Sequence, residues 1–168
     1  MKVSISLRGD NSDEYHIRLE SWDRGNLPNE IIPLLEDADI IDVVLERVSG
    51  LERTSMHVLS GISEVIAKVF IDNSNAILYF YCDDMNPIPN MGKNNSKNKN
   101  ISSQQYRSIL FSRMFDRYCL KKGYIDIYNI PVKIHLEDRD IYIHLIAREK
   151  HSRIVNLIKE TILGMAEK

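Results

Sequence analysis

Cysteine is scarce in this chain, with two in 168 residues, and tryptophan occurs once. Cys82 and Cys119 each lie inside an apolar pattern and form no CxxC-type pair, which excludes a disulfide framework and a cysteine zinc site and leaves both as reduced core residues. The seven glycines never gather into a phosphate-cradling loop, and no serine stands in a GxSxG elbow. The common nucleotide-binding and nucleophile signatures are therefore absent. No EF-hand spacing accompanies the acidic pair Asp83-Asp84. No internal repeat is found. No apolar run approaches the roughly 18 residues of a bilayer span, and the opening Met1-Lys-Val-Ser-Ile-Ser-Leu-Arg alternates where a signal peptide would run apolar without interruption. The expected location is the cytoplasm, with no membrane contact.

What is present is enough for one domain. At 168 residues and 43% hydrophobic composition the chain can bury a core without staples. The net charge of −2 is unevenly spread: residues 1–82 carry 7 Lys/Arg against 14 Asp/Glu (−7), residues 83–123 carry 8 against 3 (+5), and residues 124–168 carry 7 against 7 (0). A basic island in an acidic chain can attract nucleic acid or anions, or face the chain's own acidic part. A nucleic-acid module is usually basic overall, so self-complementarity or plain solvation is the simpler account.

Val3, Ile5 and Leu7 alternate with polar residues, as do Tyr15, Ile17 and Leu19 beyond a turn-rich 9–13, which predicts an N-terminal hairpin. A loop holding Trp22, Gly25 and Pro28 follows. Residues 40–48 fit both a strand and a helical stripe, and their β-branched content favours a strand. Thr54 is the expected N-cap of a first helix whose apolar positions run from Val58 to Phe70. Residues 76–82 are apolar on both faces, as in a strand covered on both sides. The Asn/Lys-rich 85–102 is too polar to pack and is expected to be a mobile loop. Ser102 with Gln105 makes a capping box, and Lys121, Lys122 and Gly123 mark the end of a second helix. Ile130, Val132, Ile134 and Leu136 then alternate, as do Ile141, Ile143 and Leu145. A tight turn at Asp138-Arg139 would pair 136 with 141, 134 with 143 and 132 with 145, with every apolar side chain on one face. A last helix starts near Lys150.

Asp83 and Asp84 fall just past the end of a central strand, where α/β and α+β proteins often hold metals or phosphates. Two carboxylates need a third ligand or substrate phosphates to hold a hard cation, and Asp116 is the nearest in sequence. With Arg107 or Arg113 on a phosphate, these residues would make a metal-assisted phosphoryl hydrolase or nuclease. The plainer reading is that an aspartate anchors the next helix through Arg107 or ends the strand in water. Helix 103–122 interleaves Arg107, Arg113, Arg117, Lys121 and Lys122 with Tyr106, Phe111, Phe115 and Tyr118, so the segment 93–122 could bind nucleic acid by charge and stacking. Yet Tyr106, Ile109, Leu110, Met114, Phe115 and Tyr118 sit at core spacing, which leaves only Phe111 off the stripe. In the register above, His135 faces Tyr142 and His144 faces Lys133, so both histidines would project from the polar face of the terminal hairpin. With no third ligand in sight, solvated histidines are the simpler account.

The pattern Leu78-Tyr-Phe-Tyr-Cys-Asp-Asp84, then Tyr106-Arg107, Leu110-Phe111 and Phe115, then Tyr142-Ile-His-Leu-Ile146 before an amphipathic helix, resembles a family of small bacterial proteins found mainly in Bacteroidetes genomes. The resemblance spans about half the chain, and the long Asn/Lys insertion departs from the family's compact loop. It implies one domain and a bacterial cytosolic origin, and brings no activity or site residues. The sequence thus predicts a single α+β domain over 1–168, with a largely antiparallel twisted sheet, about three helices and the order β-β-β-α-β-α-β-β-α. The leading expectation of function is a small intracellular binding or regulatory module without catalytic residues, metal or cofactor. It would act through protein contacts, with itself or another protein.

Overall fold

Alternation at the N-terminus produces a hairpin of β1 (Lys2–Arg8) and β2 (Glu14–Ser21), in which Val3 lies opposite Leu19, Ile5 opposite Ile17 and Leu7 opposite Tyr15. All six apolar residues therefore share one face of the sheet. A computed structural model of the chain describes residues 2–9, 13–26, 29, 31–50, 55–82 and 101–166. The ambiguous stretch is a strand, β3 (Asp39–Ser49), antiparallel to β2, with Ile41 and Val43 buried on the hairpin's apolar face and Ile40 on the other.

Helix α1 (Met56–Asp72) is capped by Ser55, whose hydroxyl accepts the Val58 N–H at 3.3 Å. The cap is thus Ser55 and not the expected Thr54, which lies outside the described residues. Strand β4 (Ala76–Tyr81) returns parallel to β3, as a strand–helix–strand crossover requires. Its Ala76, Leu78 and Phe80 face α1 and the next helix, while Ile77 faces the opposite layer.

Helix α2 (Ser103–Lys122) begins at Ser102, which accepts the Gln105 N–H at 3.1 Å, and ends at Gly123 with φ +73°, both as the sequence predicts. Only glycine enters that left-handed conformation without cost. The polypeptide continues through β5 (Ile127–His135), β6 (Asp140–Arg148) and α3 (Ser152–Ala166). The six strands form one open sheet in the order β1-β2-β3-β4-β6-β5, mostly antiparallel. It is the α+β single domain that the pattern predicts, with the predicted order of elements.

Three layers result. On one face α1 and α2 cover Ile17, Ile41, Leu78, Phe80 and Ile146, and on the other α3 and the segment 31–38 cover Ile77, Val132, Ile143 and Leu145. Arg148 ties the layers at one end, bonding Asp126 and the Phe70 carbonyl in the last turn of α1.

The terminal hairpin corrects one expectation. Ile134 lies opposite Ile141, Val132 opposite Ile143 and Ile130 opposite Leu145, two residues away from the predicted register. The connection is longer than a two-residue turn, with the Leu136 N–H donating to the Arg139 carbonyl at 2.9 Å. A slip of two leaves each side chain on its predicted face, so the apolar face survived. His135 consequently meets Asp140, with Nδ1 2.7 Å from its carboxylate, instead of Tyr142.

Candidate functional site

The acidic pair Asp83-Asp84 lies outside the described residues, directly after Cys82. The loop 85–102 lies outside them too, apart from its last two residues. Arg107 stands one turn into α2 and close enough to Cys82 to lower its pKa, but burial dominates and pushes the thiol up to about 12. Such a thiol is protonated at neutral pH and is no nucleophile. Arg113 and Asp116 lie farther down the exposed side of α2. Nine residues separate Arg107 from Asp116, which is about 13 Å along the axis and half a turn around it. The helix therefore does not bring Asp116 alongside Arg107. Asp116 is raised by partial burial alone. Among the described residues no three His, Cys, Asp or Glu side chains gather as a metal site.

The inward side of α2 is Gln104, Ser108, Phe111, Phe115 and Cys119. Phe111 is thus core and not outside it, with its ring 4.4 Å from that of Phe80 and 4.9 Å from that of His144. The true stripe starts with two polar residues, which displaced the predicted one by about a third of a turn. Phe111 and Phe115 are buried, which removes two of the four rings interleaved with the basic residues of α2 from any stacking platform.

Why a glutamine and a serine point inward becomes clear at β6. His144 is 0% exposed, against the expectation of a solvated histidine, because β6 is an interior strand with α2 over its second face. Its Nδ1 lies 2.9 Å from Asn129 Oδ1 and its Nε2 lies 3.0 Å from Ser108 Oγ. A carboxamide oxygen only accepts, so Nδ1 carries the proton and Nε2 accepts from the Ser108 hydroxyl. Asn129 Nδ2 in turn donates to Ser112 Oγ at 3.1 Å. Burial lowers the His144 pKa to about 4 and keeps the ring neutral. Serine, histidine and asparagine here have the connectivity of a nucleophile, base and orienter. Ser108, however, is only 5% exposed and lies against the sheet, so no acyl carbon reaches Oγ. The network satisfies buried polar groups and fixes α2 on β5 and β6.

An unsatisfied polar group lies at the carboxyl end of β4. Among the described residues β3 and β4 pair from Asp39–Ala76 to Val43–Phe80 and no farther. Beyond that point β3 stays with β2 through Ser49, while β4 follows β6, the Cys82 N–H donating to the Tyr142 carbonyl at 3.0 Å. Gln104 lies at this end of β4. Its amide nitrogen donates to the Cys82 carbonyl at 2.6 Å, while its own carbonyl oxygen is buried without a partner. An unsatisfied buried acceptor costs about 1–3 kcal/mol, so this one stands ready for an N–H or O–H donor. In open sheets of this kind ligands enter at the carboxyl ends of strands where the connections change direction.

Sequence reasoning located this strand end through Asp83 and Asp84 but missed Gln104, Ser108 and Asn129, and placed the buried His144 on an exposed face. The signal was available in β6 itself. Residues 141–147 are as apolar on both faces as β4, which marks an interior strand and a buried histidine. Compared with known proteins, the chain matches no family model, no curated protein and no solved structure.

Proposed function

We propose that the chain is a binding module, acting in the cytoplasm without catalysis, that receives an amide-bearing segment of a partner protein beside Gln104, at the carboxyl end of β4. The observation that carries this reading is the buried Gln104 carbonyl oxygen, which has no hydrogen-bond partner. An incoming segment would offer an N–H to that oxygen. The inert thiol of Cys82 and the enclosed Ser108 support binding over group transfer. No observation on the described residues favours the hydrolase reading of Asp83, Asp84 and Asp116 with Arg107 or Arg113, or nucleic-acid binding by 93–122.

The test is titration with a set of blocked heptapeptides of mixed composition, which should shift the backbone amide resonance of Cys82 and the side-chain amide of Gln104. No shift at these positions with millimolar peptide refutes the reading.

A further inference from the structure

The sheet has two outer edges, and they are built differently. β5 carries Pro131 at its centre, which removes a backbone donor, and exposed Lys133 and His135 beyond it. Proline and lysine are the usual protection of an edge against strand addition. β1 has neither device in its middle. Its central run is Val3-Ser-Ile-Ser-Leu7, with Val3 37% exposed and Ser4 and Ser6 open to solvent. Among the described residues no strand lies on the outer side of β1, so alternate residues of its seven-residue extended backbone present donors and acceptors there, beside an apolar row that α1 only partly covers.

We propose that β1 is a docking edge, which takes an extended strand of a partner protein bearing acidic residues at its two ends and apolar residues between. The charges on β1 select that occupant. Lys2 and Arg8 are its only ionised side chains, both basic and with side chains 72% and 81% exposed. They project on the face opposite to Val3, Ile5 and Leu7, six residues or about 20 Å apart. Behind them Glu20 and Glu14 on β2 approach at 3.3 and 3.7 Å, which holds the two cations in place without burying them. An added strand lays an acidic side chain beside each cation, small polar ones beside Ser4 and Ser6, and apolar ones alongside Val3, Ile5 and Leu7. A second copy of this chain fits worse. Antiparallel self-pairing about Ile5 sets Lys2 against Arg8 of the other copy at both ends, and in-register parallel pairing sets each cation beside its equivalent.

The probes are two blocked heptapeptides, Glu-Val-Ser-Val-Thr-Val-Glu and the same sequence with lysine at both ends. In low salt the acidic peptide should shift the amide resonances of Lys2–Arg8 and bind about ten-fold tighter than the basic one, the swing expected from two cross-strand charge pairs. In the chain carrying Lys2→Glu and Arg8→Glu the preference should reverse, which a merely destabilised fold would not produce. The proposal is overturned if β1 amides do not move with either peptide at millimolar concentration, if the two bind equally, or if the shifts fall on Cys82 and Gln104 instead. It is overturned equally if sedimentation finds a dimer in which β1 amides are protected, since a second copy then occupies the edge.

Discussion

Acidification is the most direct probe of the network under α2. His144 is fully buried, its ring neighbours are Phe80 and Phe111, and its polar partners Ser108 and Asn129 are uncharged. Its pKa is about 4 in the folded chain against an ordinary 6.5. The unfolded chain therefore takes up a proton between these values while the folded chain does not, so this group's contribution is present in full above pH 6.5 and is lost as pH falls to about 4. A difference of about 2.5 units corresponds to about 3 kcal/mol, a large share of the stability of a domain of this size. Urea unfolding followed by circular dichroism at half-unit steps from pH 7.5 to 4 should give a stability that declines by up to ~1.4 kcal/mol per pH unit in that window. Other groups titrate there too, so the quantity to read is the difference in slope between the wild-type chain and His144→Gln, which has nothing to protonate at that site. If the variant does not fold, a carbon-detected titration of His144 in the wild-type chain gives the same answer. Equal slopes, or a His144 midpoint near 6.5, would refute the reasoning.

Gly50 has φ +95°, and a Cβ there would lie 2.8 Å from the Asp13 Cα. Gly50→Ala should cost about 1–3 kcal/mol from the disfavoured conformation, plus whatever the clash adds, read as a lowered urea midpoint at unchanged m. Mg²⁺, Mn²⁺ and Zn²⁺ at millimolar concentration should leave the thermal midpoint unchanged. A bound cation at ten times its Kd would raise it by about 3 °C or more, and such a rise would revive the carboxylate site around Asp83 and Asp84.

The particular successes and failures of the sequence have one origin. Ser102 and Gly123 are local devices: a side chain reaches an amide three residues on, or a backbone turns left-handed, and nothing distant is consulted. The two-faced apolarity of β4 likewise reports its own burial, whichever strands lie beside it. Phe111 went astray because α2 turns a glutamine and a serine inward, and only the presence of Asn129 and His144 below makes that favourable. The candidate site was legible as a place, the carboxyl end of β4, and not as a set of residues.

By itself, then, the sequence determined the order of the elements, the apolar face of each strand and the ends of α2, because periodicity and capping act over a few residues. The tertiary structure alone decided that β6 inserts between β4 and β5, and that β4 joins β3 in parallel. Those are choices among distant partners of similar hydrophobicity, settled by the packing of α2 and α3 on opposite faces. From them follow the buried His144 and the unequal edges of the sheet.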